Sequence, residues 1–335
     1  KKAEARLNKW EIDLSSNSGT IKKEYLDDEI GEFPRLDERF SMLNYRHGYF
    51  ATKKEEDHPE GISFNAIAHY DHQTGKKNVY GLSKSLGENA IINSLGFNNK
   101  GSKKAKKNIS KIKNSFARNK IIGVNIGKNK NSDNSIDDYL YGMEELGAFA
   151  SYITINISSP NTEDLRSFHD QTKLNKLLEN LDKEKKNLSS KIPIAVKISP
   201  DINDQEIKKI TEVLLSNNIE AIIISNTSDS SRDSLKNIQK HQKGGLSGKP
   251  IEEKSSKLIN KFYKLLNGKI KIIGCGGVDS GKSAYEKFLA GANYVQLYTG
   301  MVFRGPNVVN MIKKELKELL IADGVKNFTE IIGKK

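Results

Sequence analysis

Residues 86–335 are predicted to fold as an α/β domain of the (β/α)8, TIM-barrel type that lacks its first strands, behind a β-hairpin-rich segment over residues 1–85. Three observations predict this. Six short, β-branched apolar runs recur after residue 120. Amphipathic segments of helical length separate them. The first 85 residues show period-two alternation between turn-rich clusters instead.

The first hairpin is read at residues 10–14 and 20–26, around the turn-rich cluster 15–19. The second is read at 63–71 and 76–81, around 72–75. Residues 27–49 between them are charged and aromatic, and the grammar changes near 81–87. The six apolar runs are 121–127, 152–157, 193–198, 220–225, 270–274 and 293–298. Near-continuous hydrophobicity of this kind suits strands buried on both faces. The helical segments fall at 137–149, 173–187, 204–216, 252–267 and 282–290. Repeated strand–helix units imply a parallel sheet with right-handed crossovers. A closed barrel of this kind has eight units, so two are missing.

The chain has 335 residues, 36% hydrophobic and 29% charged, which suits a soluble protein with a substantial core. No apolar run approaches the ~18 residues of a membrane span, and residues 1–14 carry no signal-peptide pattern. The net charge of +13 is mostly lysine. It reads as solvated helix faces, because no aromatic-plus-basic module for nucleic acid is present. The densest basic run, 100–120, carries Ile109, Ile112 and Phe116 at helical spacing, as an amphipathic helix would. Cys275 is the single cysteine, so no internal disulfide can form; it reads as a small core residue of a reducing compartment.

Parallel barrels place their chemistry at the carboxyl ends of the strands. One run ends in Asn156-Ile157-Ser158-Ser159-Pro160-Asn161-Thr162, a proline-fixed turn with amides on both sides of a serine. Amides offer donors and acceptors suited to a polar planar ligand; the same segment also reads as an ordinary Asx/Ser turn. Lys197 ends an otherwise apolar strand, where an ammonium costs free energy unless it meets a negative partner. Asn226 and Thr227 end another, and Asn125 lies within the first run, ahead of Lys128, Asn129 and Lys130. Glycine-rich stretches at 244–248 and 274–281, with Tyr298-Thr299-Gly300 closing the last run, suggest a phosphate site of exposed amides and a helix N-terminus.

In order along the chain stand NSLGFNN (93–99), IGKNK (126–130), NISSPNT (156–162), PIAVK (193–197), SNT (225–227), GGLSG (244–248), IIGCGG (272–277) and QLYT (296–299). The set resembles the dihydroorotate dehydrogenases over residues 90–333, and most closely their quinone-dependent, serine-base class. The resemblance implies FMN as cofactor and oxidation of dihydroorotate to orotate, in pyrimidine biosynthesis. It implies that Ser159 takes the C5 proton while hydride passes from C6 to N5 of FMN. Asn93, Asn156, Asn161, Asn226 and Thr227 would hold the substrate, beside Ser94, Leu95, Gly96 and Phe97. Lys197 would stabilise the reduced flavin, Asn125, Asn156 and Ser225 would touch it, and Gly248, Gly277, Tyr298 and Thr299 would hold its ribityl phosphate end. Quinone is the implied electron acceptor, and the implied location is cytoplasmic or peripheral on the inner membrane face.

Three departures stand against that pattern. Glu163 and Asp164 replace the Pro-Gly that usually follows the NT pair. The first barrel strands, with an Ala-Gly-Phe-Asp-Lys-type segment and a Gly-Thr strand end, are absent before Ala90. So is the helical pair that admits quinone. In their place, residues 32–40 (EFPRLDERF) and 45–49 (YRHGY) resemble an internal piece of a carotenoid oxygenase, a propeller family with histidine-bound iron, over residues 1–82. His47, His58, His69 and His72 read as exposed hairpin residues rather than iron ligands. The alternatives to the enzyme are an inactive partial barrel or fusion product without flavin, and an iron-dependent carotenoid-cleaving protein. A different phosphate-binding barrel would explain the glycines but not the asparagines around Ser159.

Overall fold

The computed structural model describes residues 6–12, 21–35, 47–52, 66–71 and 76–81 as strands. It also describes residues 89–335, apart from 98, 114–119, 130–131, 133, 163, 189–190 and 231. The chain divides into two compact units, Lys1–Ser85 and Leu86–Lys335.

In the first unit, five antiparallel strands run in sequence order: β1 (Arg6–Ile12), β2 (Ile21–Arg35), β3 (His47–Thr52), β4 (Ala66–Asp71) and β5 (Lys76–Gly81). Both hairpins read from the sequence are present, with Trp10 opposite Lys23 and Ala68 opposite Val79. β3 was not legible; it pairs His47 with Asp71 and joins β2 to β4. The β2–β3 register shifts between Glu32 and Arg35, where Pro34 has no N–H to give the ladder. His58 and His72 lie outside the described residues, as do Phe116, Lys130 and Glu163.

The second unit is α/β. Its strands are β6 (Ala90–Asn93), β7 (Gly123–Ile126), β8 (Tyr152–Asn156), β9 (Ile194–Ile198), β10 (Ala221–Ile224), β11 (Gly245–Gly248), β12 (Lys271–Cys275) and β13 (Tyr294–Gln296). Its helices are α1 (Ser102–Lys113), α2 (Ser135–Leu146), α3 (Gln171–Asn187), α4 (Asp204–Ser216), α5 (Glu252–Leu266), α6 (Gly281–Leu289), α7 (Thr299–Arg304) and α8 (Val308–Ala322). All six predicted runs form one parallel sheet, ordered β7-β8-β9-β10-β12-β13. β6 and β11 form a separate antiparallel pair. Residues 244–248, read as a glycine loop, are therefore mostly strand: Gly245 lies opposite Asn93 and Gly248 opposite Ala90.

Alternation along the strands explains the layering. Val124, Ile126, Ile153, Ile155, Ile194, Val196, Ile198, Ile222 and Ile224 lie on one face and pack on the helices. Each fully buried aliphatic side chain of this size contributes about 1.5–3 kcal/mol. The other face carries Asn125, Thr154, Asn156 and Lys197, in register across three strands. β8, β9 and β10 are largely covered on both faces, whereas Gly123 and Asn125, the polar-face positions of edge strand β7, are exposed. This corrects the expectation of strands buried on both sides throughout. Cys275 is half-buried near the end of β12 rather than in the core.

The sheet curls into a half-barrel. Tyr152 on β8 accepts a hydrogen bond from Gln296 Nε2 on β13 at 3.4 Å, with three strands between them in the sheet. Side chains can meet across that face only if the sheet bends round it. Caps fix the helix starts: Asp170 Oδ1 accepts from two first-turn amides of α3, and Asn203 pairs reciprocally with Glu206 at α4.

Candidate active site

Four segments converge at the carboxyl ends of the strands. They are the turn after β8, the loop after β10, the entry to β11 and the end of β6. The Ser158 hydroxyl is fully buried and donates to Asn156 Oδ1 at 2.9 Å while accepting from Asn226 Nδ2 at 2.8 Å. Asn156 Oδ1 also accepts from the Ser158 amide, and Tyr139 OH holds the Asn156 carbonyl at 2.8 Å. Asn226 accepts the Thr227 amide at 2.8 Å. Two amides from different strands are thus fixed by one serine.

Ser159 comes next, 7% exposed. Its Oγ accepts from the Asn161 amide at 3.3 Å. Asn161 Nδ2 donates to the Asn93 carbonyl at 3.1 Å, which ties the serine turn to β6. Asn93 Nδ2 reaches the Gly245 carbonyl at 3.5 Å, and Ser94 Oγ the Lys243 carbonyl at 2.6 Å. Glycine is required at 245: a Cβ there would lie 2.0 Å from Thr227 Oγ1 and 3.2 Å from Pro160 Cγ. The Phe97 ring lies over Gly127, where a Cβ would come within 2.9 Å of it. Leu95, Gly96 and Phe97 are exposed.

Lys197 is half-buried beside Asn156, and among the described residues its side chain has no hydrogen-bonding or ionic partner. No described residue supplies the expected negative partner. Asn125 is exposed on the same face and likewise makes no described hydrogen bond. Ser225 is buried, its amide on the Cys275 carbonyl at 2.9 Å.

Around the predicted phosphate loop, a small cavity is lined by Gly248, Lys249, Gly277, Gly300 and Arg304. Gly248 (φ +96°) and Gly277 (φ +76°) have backbone conformations that L side chains rarely adopt. Thr299 is buried and donates to Ser247 Oγ at 2.9 Å, whereas the Tyr298 ring is 65% exposed. The start of α6 is not open to an anion as the sequence suggested. Ser280 and Ser283 cap it, and Glu315 Oε2 takes the Gly281 amide at 2.5 Å. The fully buried Lys287 lies behind this region, donating to the Glu252 carbonyl at 2.8 Å and to Ser256 Oγ at 2.9 Å. Burial pushes its ammonium down to about 8, against the pull of Glu252.

Charged groups that sequence reasoning missed brace the site from beside it. Arg166 touches the Ser158 carbonyl, Asp229 and Asp201. Asp201 also accepts from Lys254, the Ser228 hydroxyl and the Asp229 amide. Burial alone would raise its pKa. Hydrogen bonding with the Asp229 side chain, Lys254, Ser228 and the Asp229 amide overcomes that, so its carboxyl stays well below the usual range. Burial, with Arg166 nearby, lowers His169 to about 4 and keeps it neutral. Arginine itself was the available signal: only eight of the 55 basic residues are arginine, and Arg166, Arg232 and Arg304 each bind several oxygens. Asp164, standing where the family pattern has glycine, has a left-handed backbone (φ +54°), which aspartate tolerates better than most residues.

A curled parallel sheet with an amide-and-serine cluster and glycine turns at its carboxyl ends defines an α/β half-barrel with a polar carboxyl-end site. A family model described as Dihydroorotate dehydrogenase matches residues 66–320, and the chain belongs to that family. A second, described as Retinal pigment epithelial membrane protein, matches residues 1–95. The chain is 41% identical over 235 residues to dihydroorotate dehydrogenase (quinone) of Idiomarina loihiensis, covering 68% of this chain and 69% of that protein. It is 44% identical over 247 residues to that of Wigglesworthia glossinidia brevipalpis, covering 72% and 68%. Among solved structures it is similar to DHODH of Eimeria tenella in complex with ferulenol. There the TM-score is 0.72 at 34% identity, over 75% of this chain and 73% of that one.

Proposed function

We propose that this chain oxidises dihydroorotate to orotate in pyrimidine biosynthesis, with FMN as the first electron acceptor and a quinone as the next. The observation that carries the proposal is the convergence of Asn93, Asn156, Asn161, Asn226 and Thr227 on the Ser159 turn. The donor set fits FMN. Lys197 is a cation without a side-chain partner among the described residues, on the polar face of the sheet, suited to negative charge on a reduced isoalloxazine. Gly248 and Gly277 line a small cavity with backbone groups suited to its phosphate end, where Lys249 and Arg304 already pair with Glu252 and Glu315 and Asp279 also lines the wall; Thr299 lies on that side, and Ser225 would touch the flavin elsewhere.

When bound, FMN supplies the acceptor for the hydride that leaves C6 of the substrate. The protein's part is proton removal and orientation. Ser159 Oγ takes the proton from C5. A free hydroxyl is a weak base, so a water relay or an ordered hydrogen-bond partner must carry the proton onward. Asn93, Asn156, Asn161 and Asn226 present amide donors and acceptors to the pyrimidine ring and carboxylate, with Thr227 adding a hydroxyl. Ser158 does not act on the substrate; it holds the Asn156 and Asn226 amides in place.

The second unit is best read as a (β/α)8 barrel without its first two strands, and residues 1–85 as a piece of propeller-type sheet. That arrangement favours a second reading: exposed Asn125 and unpartnered Lys197 are what a partial barrel that has lost its flavin would leave. The test is to incubate the chain with FMN, dihydroorotate and a soluble quinone and follow orotate by its ultraviolet absorbance. Orotate formation supports the proposal. No orotate at saturating FMN supports the partial-barrel reading.

A further inference from the structure

We infer that Arg166 is a positioning residue that latches the Ser159 turn to the loop carrying Asn226 and Thr227, with Asp201 as its anchor. The inference rests on the function proposed above and assigns a role to residues outside the amide cluster.

Arg166 stands in the 3-10 turn Leu165–His169, seven residues past Ser159. Its Nε donates to the Ser158 carbonyl at 3.4 Å, on the peptide that links Ser158 to Ser159. Nη1 binds Asp229 Oδ1 at 2.7 Å, two residues past Thr227. Nη2 meets Asp201 Oδ2 at 3.4 Å, on the segment after β9. One planar group therefore spans three successive strand ends, and only a guanidinium has the fork to do so.

Asp201 extends the brace. It takes the Ser228 hydroxyl at 2.6 Å and the Asp229 amide at 2.9 Å, and it pairs with Lys254 on α5. Its side chain is 12% exposed and that of Arg166 26%, so these are not freely hydrated surface charges. The cluster holds two carboxylates, Asp201 and Asp229, and two cations, Arg166 and Lys254. Removing Arg166 takes away the one guanidinium that both carboxyl side chains meet. Asn226 and Ser158 are already joined by a hydrogen bond, so a shift of either segment moves both substrate-facing amides away from Ser159.

The experiment compares the flavin-loaded wild-type chain with Arg166→Ala and Arg166→Lys. Three quantities are read: bound FMN, the anaerobic rate of flavin reduction by dihydroorotate, and backbone hydrogen exchange of residues 158–161 and 226–229. The latch predicts that both segments of Arg166→Ala exchange faster together while the β9 core is unchanged. It predicts normal FMN content and flavin reduction slower by on the order of 100-fold, the scale of a misplacement of about 1 Å. Added guanidinium should restore part of the rate. Arg166→Lys, which keeps the charge but not the fork, should show the same pattern to a smaller extent.

Wild-type exchange in either segment of both variants would overturn the inference. So would a wild-type reduction rate, or a rate that falls only as FMN is lost. If the wild-type flavin is itself not reduced by dihydroorotate, the proposed function fails, and the exchange comparison still decides the latch.

Discussion

Ser159 is held but not activated by the protein: its hydroxyl accepts one backbone amide, and among the described residues neither a carboxylate nor an imidazole hydrogen-bonds to it. Ser159→Ala should therefore leave FMN bound and slow its reduction by dihydroorotate by roughly 10²- to 10⁴-fold, the usual share of a positioned proton acceptor; flavin content and stopped-flow absorbance check the two halves. His169 offers a separate test. Its folded pKa of about 4 lies below the ordinary 6.5, so the unfolded chain takes up the proton first as the pH falls. The stabilisation is complete above pH 6.5 and is lost towards pH 4, on the order of 3 kcal/mol in all. Urea unfolding at pH 7 and pH 5 should show this slope in the wild-type chain and a smaller one in His169→Gln. At this scale the sequence was legible for Ser159, Asn156, Asn161, Asn226 and Thr227, because their motifs are contiguous. It was silent on Asp201 and Arg166, whose partners other than Ser158 lie 27 to 63 residues away along the chain.

The parallel strands were readable as elements because β8, β9 and β10 are nearly unbroken runs of branched apolar residues. β11 was not, since Gly245 and Gly248 have the composition of a turn. Other chain segments crowd both, and Gly248 has a positive φ besides: a Cβ there would sit 2.1 Å from the Asn89 carbonyl. β3 escaped notice because its partners set it, not its own periodicity. Gly245→Ala probes the element directly. The added methyl would collide with Thr227, so a loss of about 1–3 kcal/mol is expected from overpacking, read by urea unfolding. Weaker orotate binding with unchanged FMN content should accompany it. Equal loss of FMN would place the damage elsewhere.

For the whole molecule, the main feature is a half-barrel whose edge strands β7 and β13 each have one sheet neighbour among the described residues. Open edges of parallel strands are templates for pairing with other chains. The net charge of +13 opposes such association through repulsion. Raising salt from roughly 0.05 M to roughly 0.5 M shortens the screening length and should increase the apparent mass in light scattering. A mass independent of salt would mean the edges are covered. The match of residues 1–95 to a second family lies beside this half-barrel in sequence and supplies none of its parallel strands. No described helix is long and apolar enough to cross a membrane.

The amide cluster around Ser159 is expected to work with FMN in a sheet of six parallel strands. The most direct measurement is the visible spectrum of the chain loaded with FMN, recorded anaerobically before and after adding dihydroorotate. A bound-flavin spectrum that bleaches on addition is the predicted result. A chain that takes up no flavin, or whose bound flavin keeps its colour in excess dihydroorotate, would contradict it.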